Sequence, residues 1–322
     1  MAGLSRAVKV GERIRADPSR QQPAHGVEGT ALAVFYVFLW SSAFVPSRIL
    51  AMLGQPLWVL AVRFVLAGVI QVGLAFTLAR PWPRSRASWG SLAVFGLLAN
   101  AGYLGLTYEA LRHLSAGMGA IIASTNPLVL ALVAPALLGE ALTSRKLVGL
   151  VTGFAGVLMS MASRAGSQTA RPVDVGIAFI GVLALVASTV VFKRLRIQED
   201  LVSANAVQLG TSALVLLPLA LLVEGRPHLP VTVPVVCSFG YVVLVMSIGA
   251  SFVWFWLLRN GEASRVSAFY FLTPIFGLGL AGLLLRERVT WVDGLGLLAV
   301  AVGITLVQTK TTQPVPGLKP LQ

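Results

Sequence analysis

Arg63 is the residue whose position in this 322-residue chain most strongly indicates chemistry. It lies about two helical turns inside a long apolar stretch, where a charged side chain usually has a partner or marks the path of a substrate. Three interpretations stay open. Arg63 or Arg48 could form an ion pair with Glu109, Arg63 could bind the carboxylate of a substrate, or its side chain could extend to the lipid headgroups.

Uncharged polar and aromatic side chains in other apolar stretches are candidates for the wall of a binding cavity. Asn100, Tyr103 and Gln208 could contact a substrate, or could hold helices together through hydrogen bonds that contribute about 1 kcal/mol each. Trp40 lies beside the hydroxyl of Ser42 in the middle of the first stretch. This pair could form an aromatic wall for an organic substrate, although ordinary packing explains it equally well.

Pro127 and Pro274 lie near the middle of two further apolar stretches. A proline in a helix interior removes one backbone hydrogen bond, and the carbonyl four residues earlier then needs another donor, a water or a cavity. The polar residues before each proline, Asn126 in the first stretch and Tyr270 and Thr273 in the second, are therefore predicted to line a central cavity. The alternative is a tolerated kink whose hydroxyl groups bond back along the helix.

Catalysis and metal binding find little support in the sequence. His25, His113 and His228 lie in the N-terminal tail or in predicted loops, and no pair of them has the spacing of metal ligands. No two carboxylates share an apolar stretch, and the glycine-rich run 277–282 lacks the preceding strand of a nucleotide-binding site. We predict no catalytic residue, no metal and no cofactor.

The elements that must position the candidate residues are membrane-spanning helices. Hydrophobic residues make up 56% of the chain and charged residues 11%, and the mean hydropathy is +0.82. A globular domain carries about 25% charged residues, so the charges here are crowded between long apolar stretches. The formal net charge of +13 does not indicate nucleic-acid binding, because the basic residues form no stripe with interleaved aromatic residues.

Ten apolar segments each have close to the roughly 20 residues that a helix needs to cross a bilayer. They cover residues 31–52, 57–79, 88–110, 115–139, 145–163, 174–194, 202–223, 232–258, 263–285 and 290–308. Runs this long without alternation are not barrel strands, so the predicted fold is an all-α integral membrane protein.

The distribution of lysine and arginine predicts that both ends of the chain are cytoplasmic. With the N-terminus inside, the inner segments hold 17 lysine and arginine residues and the outer loops hold six. Such residues accumulate on the cytoplasmic side of membrane proteins. We expect a multi-pass protein of the bacterial inner membrane, with a disordered basic tail over residues 1–29 and a second cytoplasmic tail over 309–322.

The stretch from Ser115 to Leu158 returns 147 positions later, from Glu262 to Thr305. The aligned pairs include Pro127/Pro274, Glu140/Glu287, Gly149/Gly296 and Gly156/Gly303. We predict two five-helix repeats, residues 30–164 and 173–308, and because five is odd the second repeat is inverted. Inverted repeats commonly build transporters, whose halves exchange inward-open and outward-open shapes around a site at their interface.

Glu140 and Glu287 lie at the ends of the fourth and ninth segments. An acid at a helix C-terminus opposes the helix dipole, so a local group must offset it. Each glutamate could cap the following helix or pair with Arg145, Lys146 or Arg288. A role in gating is the alternative.

Several short motifs carry a resemblance to a known family. They are Trp40-Ser41-Ser42-Ala43-Phe44, Pro56 followed by Arg63-Phe64, Tyr108-x-Ala110-Leu111 before Ser115-Ala116-Gly117, Pro127 with Leu137-Leu138-Gly139-Glu140, and Pro274 with Leu284-Leu285-Arg286-Glu287. Over about residues 30–308 the chain resembles the ten-helix members of the drug/metabolite transporter superfamily, which have two EamA-type domains.

The resemblance implies an inner-membrane transporter with a central cavity between its halves. Members of the superfamily handle amino acids, amines, nucleotide sugars, sugar phosphates and drugs. We predict a secondary transporter, in the direction of export, for amino acids, related compounds or drugs; the alternative is a membrane-embedded enzyme that acts on a lipid-linked substrate. The expected partners are a small-molecule substrate and the lipid bilayer, with no nucleic acid, and a homodimer stays open.

Overall fold

The computed structural model describes residues 27–114, 116–162, 171–273, 275–277, 280 and 291–308. Most of the two predicted tails lies outside these residues, and so do Pro274 and Glu287. The predictions made for those positions stay predictions.

The described residues form ten helical segments, α1 to α10, in the order that the sequence predicts. They are α1 (Gly29–Ala51), α2 (Pro56–Thr77), α3 (Arg86–Leu111), α4 (Ala116–Ala123 and Asn126–Leu138), α5 (Ser144–Ala162), α6 (Pro172–Arg194), α7 (Leu201–Glu224), α8 (Val233–Asn260), α9 (Ala263–Ala268, continued as a 3-10 helix over Phe269–Leu272) and α10 (Trp291–Gln308). Within the described residues, α1, α2, α3, α6, α7 and α8 are long and apolar enough to cross a membrane. The fold is that of an all-α integral membrane protein.

The outward-facing surface of the helices is apolar, as a lipid environment requires. Leu214 and Leu222 in α7 are 75% and 83% exposed, and Phe76 in α2 is 70% exposed. In hydrocarbon no water satisfies backbone N–H and C=O groups, so each segment satisfies them internally as a helix. The polar side chains that remain within the segments are consequently turned inward.

Successive segments run in opposite directions, so their ends lie alternately on two sides of the bundle. On the side where α1 begins, called here the tail side, Glu140 at the end of α4 contacts the start of α9. On the opposite side, called the far side, the Glu224 carboxylate at the end of α7 accepts hydrogen bonds from the N–H groups of Leu57 and Trp58, both at 2.9 Å. Both contacts join the first five segments to the last five.

Helices at equivalent positions of the two repeats pack against each other in antiparallel pairs, α2 with α7 and α5 with α10. Between α5 and α10, Gly149 lies against Gly303 and Gly156 lies against Gly296. Since Gly149 aligns with Gly296 in sequence, and Gly156 with Gly303, a two-fold axis exchanges the two contacts. The predicted inverted repeats are confirmed by this arrangement.

Helix α4 is interrupted rather than kinked. Its first piece ends at Ala123, a turn at Ser124 and Thr125 follows, and the second piece begins at Asn126 with Pro127 in its first turn. Proline is tolerated there because the first N–H groups of a helix have no acceptor within the helix. The expectation of a proline inside a continuous helix is therefore corrected, since Pro127 starts a helix.

Candidate functional site

A cavity of about 100 Å³ lies between the two repeats at the centre of the bundle. This volume holds several water molecules. Its wall is built from α1, α2, α3, α6, α7, α8 and α9, so both repeats contribute. Six of the nine residues that the sequence suggested for substrate binding lie in this wall: Trp40, Arg63, Asn100, Tyr103, Gln208 and Tyr270.

Two π-helical segments border the cavity at equivalent places in the repeats. One covers Leu97–Leu104 in α3, and the other covers Tyr241–Ala250 in α8. A π-helical turn inserts an additional residue into the helix and is frequent at functional sites. The first segment brings Asn100 and Tyr103 to the cavity, and the second brings Ser247.

Arg63 lies in the part of the cavity nearer the far side, where hydroxyl groups hold it. The side chain is 6% exposed, its Nε donates to Ser247 Oγ at 2.9 Å, and its Nη1 donates to Tyr108 Oη at 3.3 Å. Tyr108 in turn donates to Ser47 Oγ at 2.9 Å. The Nη2 group forms no hydrogen bond with a described residue, so it is free to bind a ligand in the cavity.

No carboxylate in the described part of the chain forms an ion pair with Arg63. Glu109 pairs with Arg112 at 2.9 Å, and Arg48 donates to the carbonyl oxygen of Leu111 at 3.0 Å. The ion pair of Arg63 or Arg48 with Glu109 is therefore not formed. A buried guanidinium without a counter-ion is unfavourable, and an anion that enters the cavity would relieve it.

Five aromatic side chains, called here the aromatic cluster, form the part of the cavity nearer the tail side: Tyr36, Trp40, Tyr103, Trp254 and Tyr270. Trp40 stacks on Tyr103 with ring centroids 5.6 Å apart, and Tyr36 stacks on Trp254 at 5.2 Å. Tyr270 meets Trp40 and Trp254 edge-on, and its hydroxyl lies 3.1 Å from that of Tyr36. The cluster offers a largely apolar surface with one buried N–H donor, Trp40 Nε1, that has no partner among the described residues.

Two amide side chains of α7 continue the hydrogen-bond network of Arg63. Gln208 Nε2 donates to Asn205 Oδ1 at 2.6 Å, and Asn205 Nδ2 donates to the backbone oxygen of Ser247 at 2.8 Å. The same dipeptide, Ala-Val, precedes both Arg63 and Gln208. Both side chains line the central cavity, Arg63 from α2 and Gln208 from α7.

Three predicted residues lie outside the cavity wall. Ser42 Oγ donates to the backbone oxygen of Leu39 at 2.8 Å and also bonds to the hydroxyl of Tyr241. Asn126 and Thr273 are buried, and their side-chain polar atoms have no partner in the described part of the chain. Substrate contact at these three residues stays a prediction.

The hydroxyl groups before Pro127 follow the alternative interpretation from the sequence. Ser124 Oγ donates to the carbonyl oxygen of Ala120 at 2.8 Å, and Thr125 Oγ1 donates to that of Ile122 at 2.7 Å. These bonds run back along the helix and do not face the cavity.

Sequence reasoning missed Ser47, Tyr108 and Ser247, the hydroxyl groups around Arg63. The only available signal was general, because a buried guanidinium requires acceptors on neighbouring helices. Serine occurs in many of the apolar stretches, and the sequence does not show which stretches meet.

On the tail side, charged groups join the two repeats beneath the aromatic cluster. The Glu140 carboxylate accepts from the N–H groups of Ala263 at 2.7 Å and Ser264 at 3.1 Å, and Lys146 Nζ donates to Glu262 at 2.9 Å. An acid at a helix N-terminus is favoured by the helix dipole. Glu140 therefore caps α9 of the other repeat, which corrects the expectation that it caps the next helix in the chain.

A cavity at the interface of two inverted repeats, within a bundle of apolar helices, defines a membrane transporter of small molecules. Among the described residues, no group of three or more His, Cys, Asp or Glu side chains could hold a metal ion. The chain belongs to the EamA-like transporter family, which matches residues 28–162 and 175–309. Each match covers one repeat.

Relatives of the chain are described as transporters. YvbV of Bacillus subtilis, an uncharacterized transporter, is 28% identical over 288 residues, which are 87% of this chain and 91% of YvbV. YedA of Escherichia coli K12, an uncharacterized inner membrane transporter, is 24% identical over 279 residues, 84% of this chain and 88% of YedA. A solved crystal structure superposes on this chain with a TM-score of 0.68 and 17% sequence identity. The superposition covers 87% of this chain and 96% of the chain in that structure, so the two share a fold.

Proposed function

We propose that this protein exports small organic solutes that carry a carboxylate, amino acids or related compounds foremost, by alternating access. The observation that carries the substrate class is Arg63, a buried cation in the wall of the central cavity without a carboxylate partner among the described residues. A carboxylate of the substrate supplies that partner through charge-assisted hydrogen bonds. The aromatic cluster receives the apolar part of the solute.

The proposed location is the bacterial inner membrane, with the tail side in the cytoplasm. The excess of lysine and arginine on the tail side supports this orientation. The description of YedA as an inner membrane transporter supports the location. The description of the relatives as transporters supports transport rather than catalysis.

The substrate class is tested with matched ligand pairs on the purified protein in detergent. Leucine and phenylalanine are compared with leucinamide and phenylalaninamide, which keep the side chain and the amine but lack the carboxylate. A ligand at 100 times its Kd stabilises the folded state by about 2.7 kcal/mol, so we expect the acids to raise the Tm by about 5 °C. Equal stabilisation by the amides would contradict a carboxylate site.

Alternating access predicts that the tail-side contact of Glu140 breaks whenever the cavity opens to that side. We expect Glu140→Gln to favour this opening about tenfold, because the charged acceptor for two N–H groups of α9 is lost. The measurement is the rate at which a maleimide labels a cysteine introduced at Ala33, a buried position near the tail-side end of α1, after replacement of the native Cys237.

The control for this variant is Glu109→Gln. Glu109 is a partly exposed acid on the far side that pairs with Arg112 within its own helix end. The Glu109→Gln variant should therefore leave the rate of maleimide labelling at Ala33→Cys unchanged. If Glu140→Gln and Glu109→Gln label at the same rate, Glu140 does not restrain the tail-side opening.

A further inference from the structure

A second cavity of about 510 Å³ opens on the tail side, between the ends of α4 and α6 and the junction of α8 with α9. Four cationic side chains border it: Lys193, Arg194, Arg196 and Arg259. The central cavity uses none of them. They lie at the ends of α6 and α8 in the second repeat, with Arg196 in the turn after α6. The end of α4, in the first repeat, borders the cavity on the other side.

The two acids at the rim of this cavity are already engaged. Glu140 accepts from the N–H groups at the start of α9, and Glu262 pairs with Lys146 at 2.9 Å and Arg265 at 3.0 Å. Neither carboxylate lies within ion-pair distance of the four bordering cations. The charges of Glu140 and Glu262 act on Lys193 through space, but four cations border the cavity against two acids, so its rim carries an excess of positive charge.

The four bordering cations differ in whether their side chains already make hydrogen bonds within the protein. Lys193 Nζ donates to the backbone oxygen of Gly261, and Arg259 Nη2 donates to that of Glu199, while Arg259 Nε is buried without a partner among the described residues. Arg194 and Arg196 are exposed. In the structure, neither guanidinium makes a hydrogen bond or an ion pair with a described residue, so both can bind an external anion.

The surroundings of Arg194 and Arg196 show what kind of anion fits. Leu137 and Leu138, at the end of α4, form the opposite edge of the cavity, and Leu137 is 40% exposed. The cavity lies at the tail-side ends of the helices, which is the level of the lipid headgroups. Leucines beside guanidinium groups at that depth match a molecule with a phosphate next to an apolar chain, and do not match a freely soluble phosphate.

We propose that this cavity binds the headgroup of an anionic phospholipid from the tail-side leaflet. Arg194 and Arg196 contact the phosphate, and Leu137 and Leu138 contact the glycerol and the first part of an acyl chain. Guanidinium groups suit phosphate geometry, and basic pockets between membrane helices are suited to acidic headgroups. A lipid seated there links α4 of the first repeat to α6 and α8 of the second, beside the contact of Glu140 with α9.

The test is titration of the purified full-length protein in detergent with phosphatidylglycerol, followed by native mass spectrometry to count bound lipids. We expect wild-type protein to retain one phosphatidylglycerol in preference to phosphatidylcholine of the same acyl chains. Each basic residue at a membrane surface contributes about fivefold, so the variant Arg194→Gln/Arg196→Gln should bind about 25-fold more weakly. Both side chains are exposed, so the variant should melt at the wild-type temperature without added lipid.

The matched control is Arg84→Gln/Arg86→Gln, which removes the same charge from exposed positions on the same side, just before and at the first residue of α3. We expect this control to bind phosphatidylglycerol like wild type. Equal loss in the two double variants would show diffuse surface charge instead of a site. Displacement of the lipid by millimolar inorganic phosphate, or equal retention of phosphatidylcholine, would overturn the lipid assignment, and none of these outcomes depends on the transported substrate.

Discussion

Arg63→Gln is expected to weaken the binding of carboxylate solutes severely while the protein stays folded. Truncating one partner of a buried charge pair costs about 2–5 kcal/mol, which corresponds to a loss of affinity of about 30-fold or more. The folded state should not suffer, because glutamine removes a buried charge that lacks a carboxylate partner in the described part of the chain and can still bond to Ser247 or Tyr108. The measurement is the Kd for phenylalanine by calorimetry, together with the Tm of the ligand-free variant.

Two variants separate this role from a structural one. Arg48→Gln removes an arginine of the first repeat whose side chain does not line the cavity and donates to the backbone oxygen of Leu111. This variant should leave the Kd unchanged. Arg63→Lys keeps the positive charge but loses the planar guanidinium that can donate two parallel hydrogen bonds to a carboxylate. This variant should bind phenylalanine with intermediate affinity. If Arg63→Gln lowers the Tm while the protein that remains folded binds phenylalanine like wild type, the arginine is structural and the carboxylate proposal fails.

Gly303→Ala is expected to cause a large loss of stability by forcing α5 and α10 apart. A Cβ at this position would lie 2.5 Å from the carbonyl oxygen of Gly149 and 2.6 Å from the backbone nitrogen of Gly153. Backbone atoms cannot move aside as a flexible side chain can, so α5 and α10 must separate. Overpacking of this kind costs about 1–3 kcal/mol and occasionally more, and we expect the upper end, measured as a fall in Tm and in folded yield.

The matched control lies on the same helix. At Gly294 an added Cβ meets no atom within 4 Å, so Gly294→Ala should be neutral or slightly stabilising, because alanine favours helix by about 1 kcal/mol over glycine. Equal melting temperatures for Gly294→Ala and Gly303→Ala would show that α5 and α10 are not in close contact.

The ends of the helices could be predicted from the sequence because apolar length and helix-ending residues are local properties. The predicted bounds of α2 and α7 agree with the structure within two residues. The inverted repeat could also be predicted, because glycine and proline pairs keep the same spacing throughout the duplicated stretch. These features need no knowledge of which helices meet.

The hydrogen-bond partners of individual side chains were harder to predict, because they depend on contacts between segments that are distant in the chain. The interruption of α4 before Pro127 depends on how Ser124 and Thr125 bond within a turn, and the sequence permitted a continuous kinked helix equally well. Arg63 could be named from its type and depth, but its hydroxyl partners lie on α3 and α8. A charge within a membrane is visible in sequence, whereas its neutral neighbours are not.

The cross-repeat cap of α9 by Glu140 has a consequence for the order of events during biosynthesis. Segments of a membrane protein enter the bilayer in chain order, so the Glu140 carboxylate has none of its α9 N–H donors until that helix is made. The first of these donors, Ala263, lies 123 positions further along the chain. The glycine face of α5 likewise waits for α10. A nascent chain that stops after α5 therefore holds a glutamate without its donors and a glycine face of α5 that no helix covers. The first repeat completes its packing only after the last helix has been inserted.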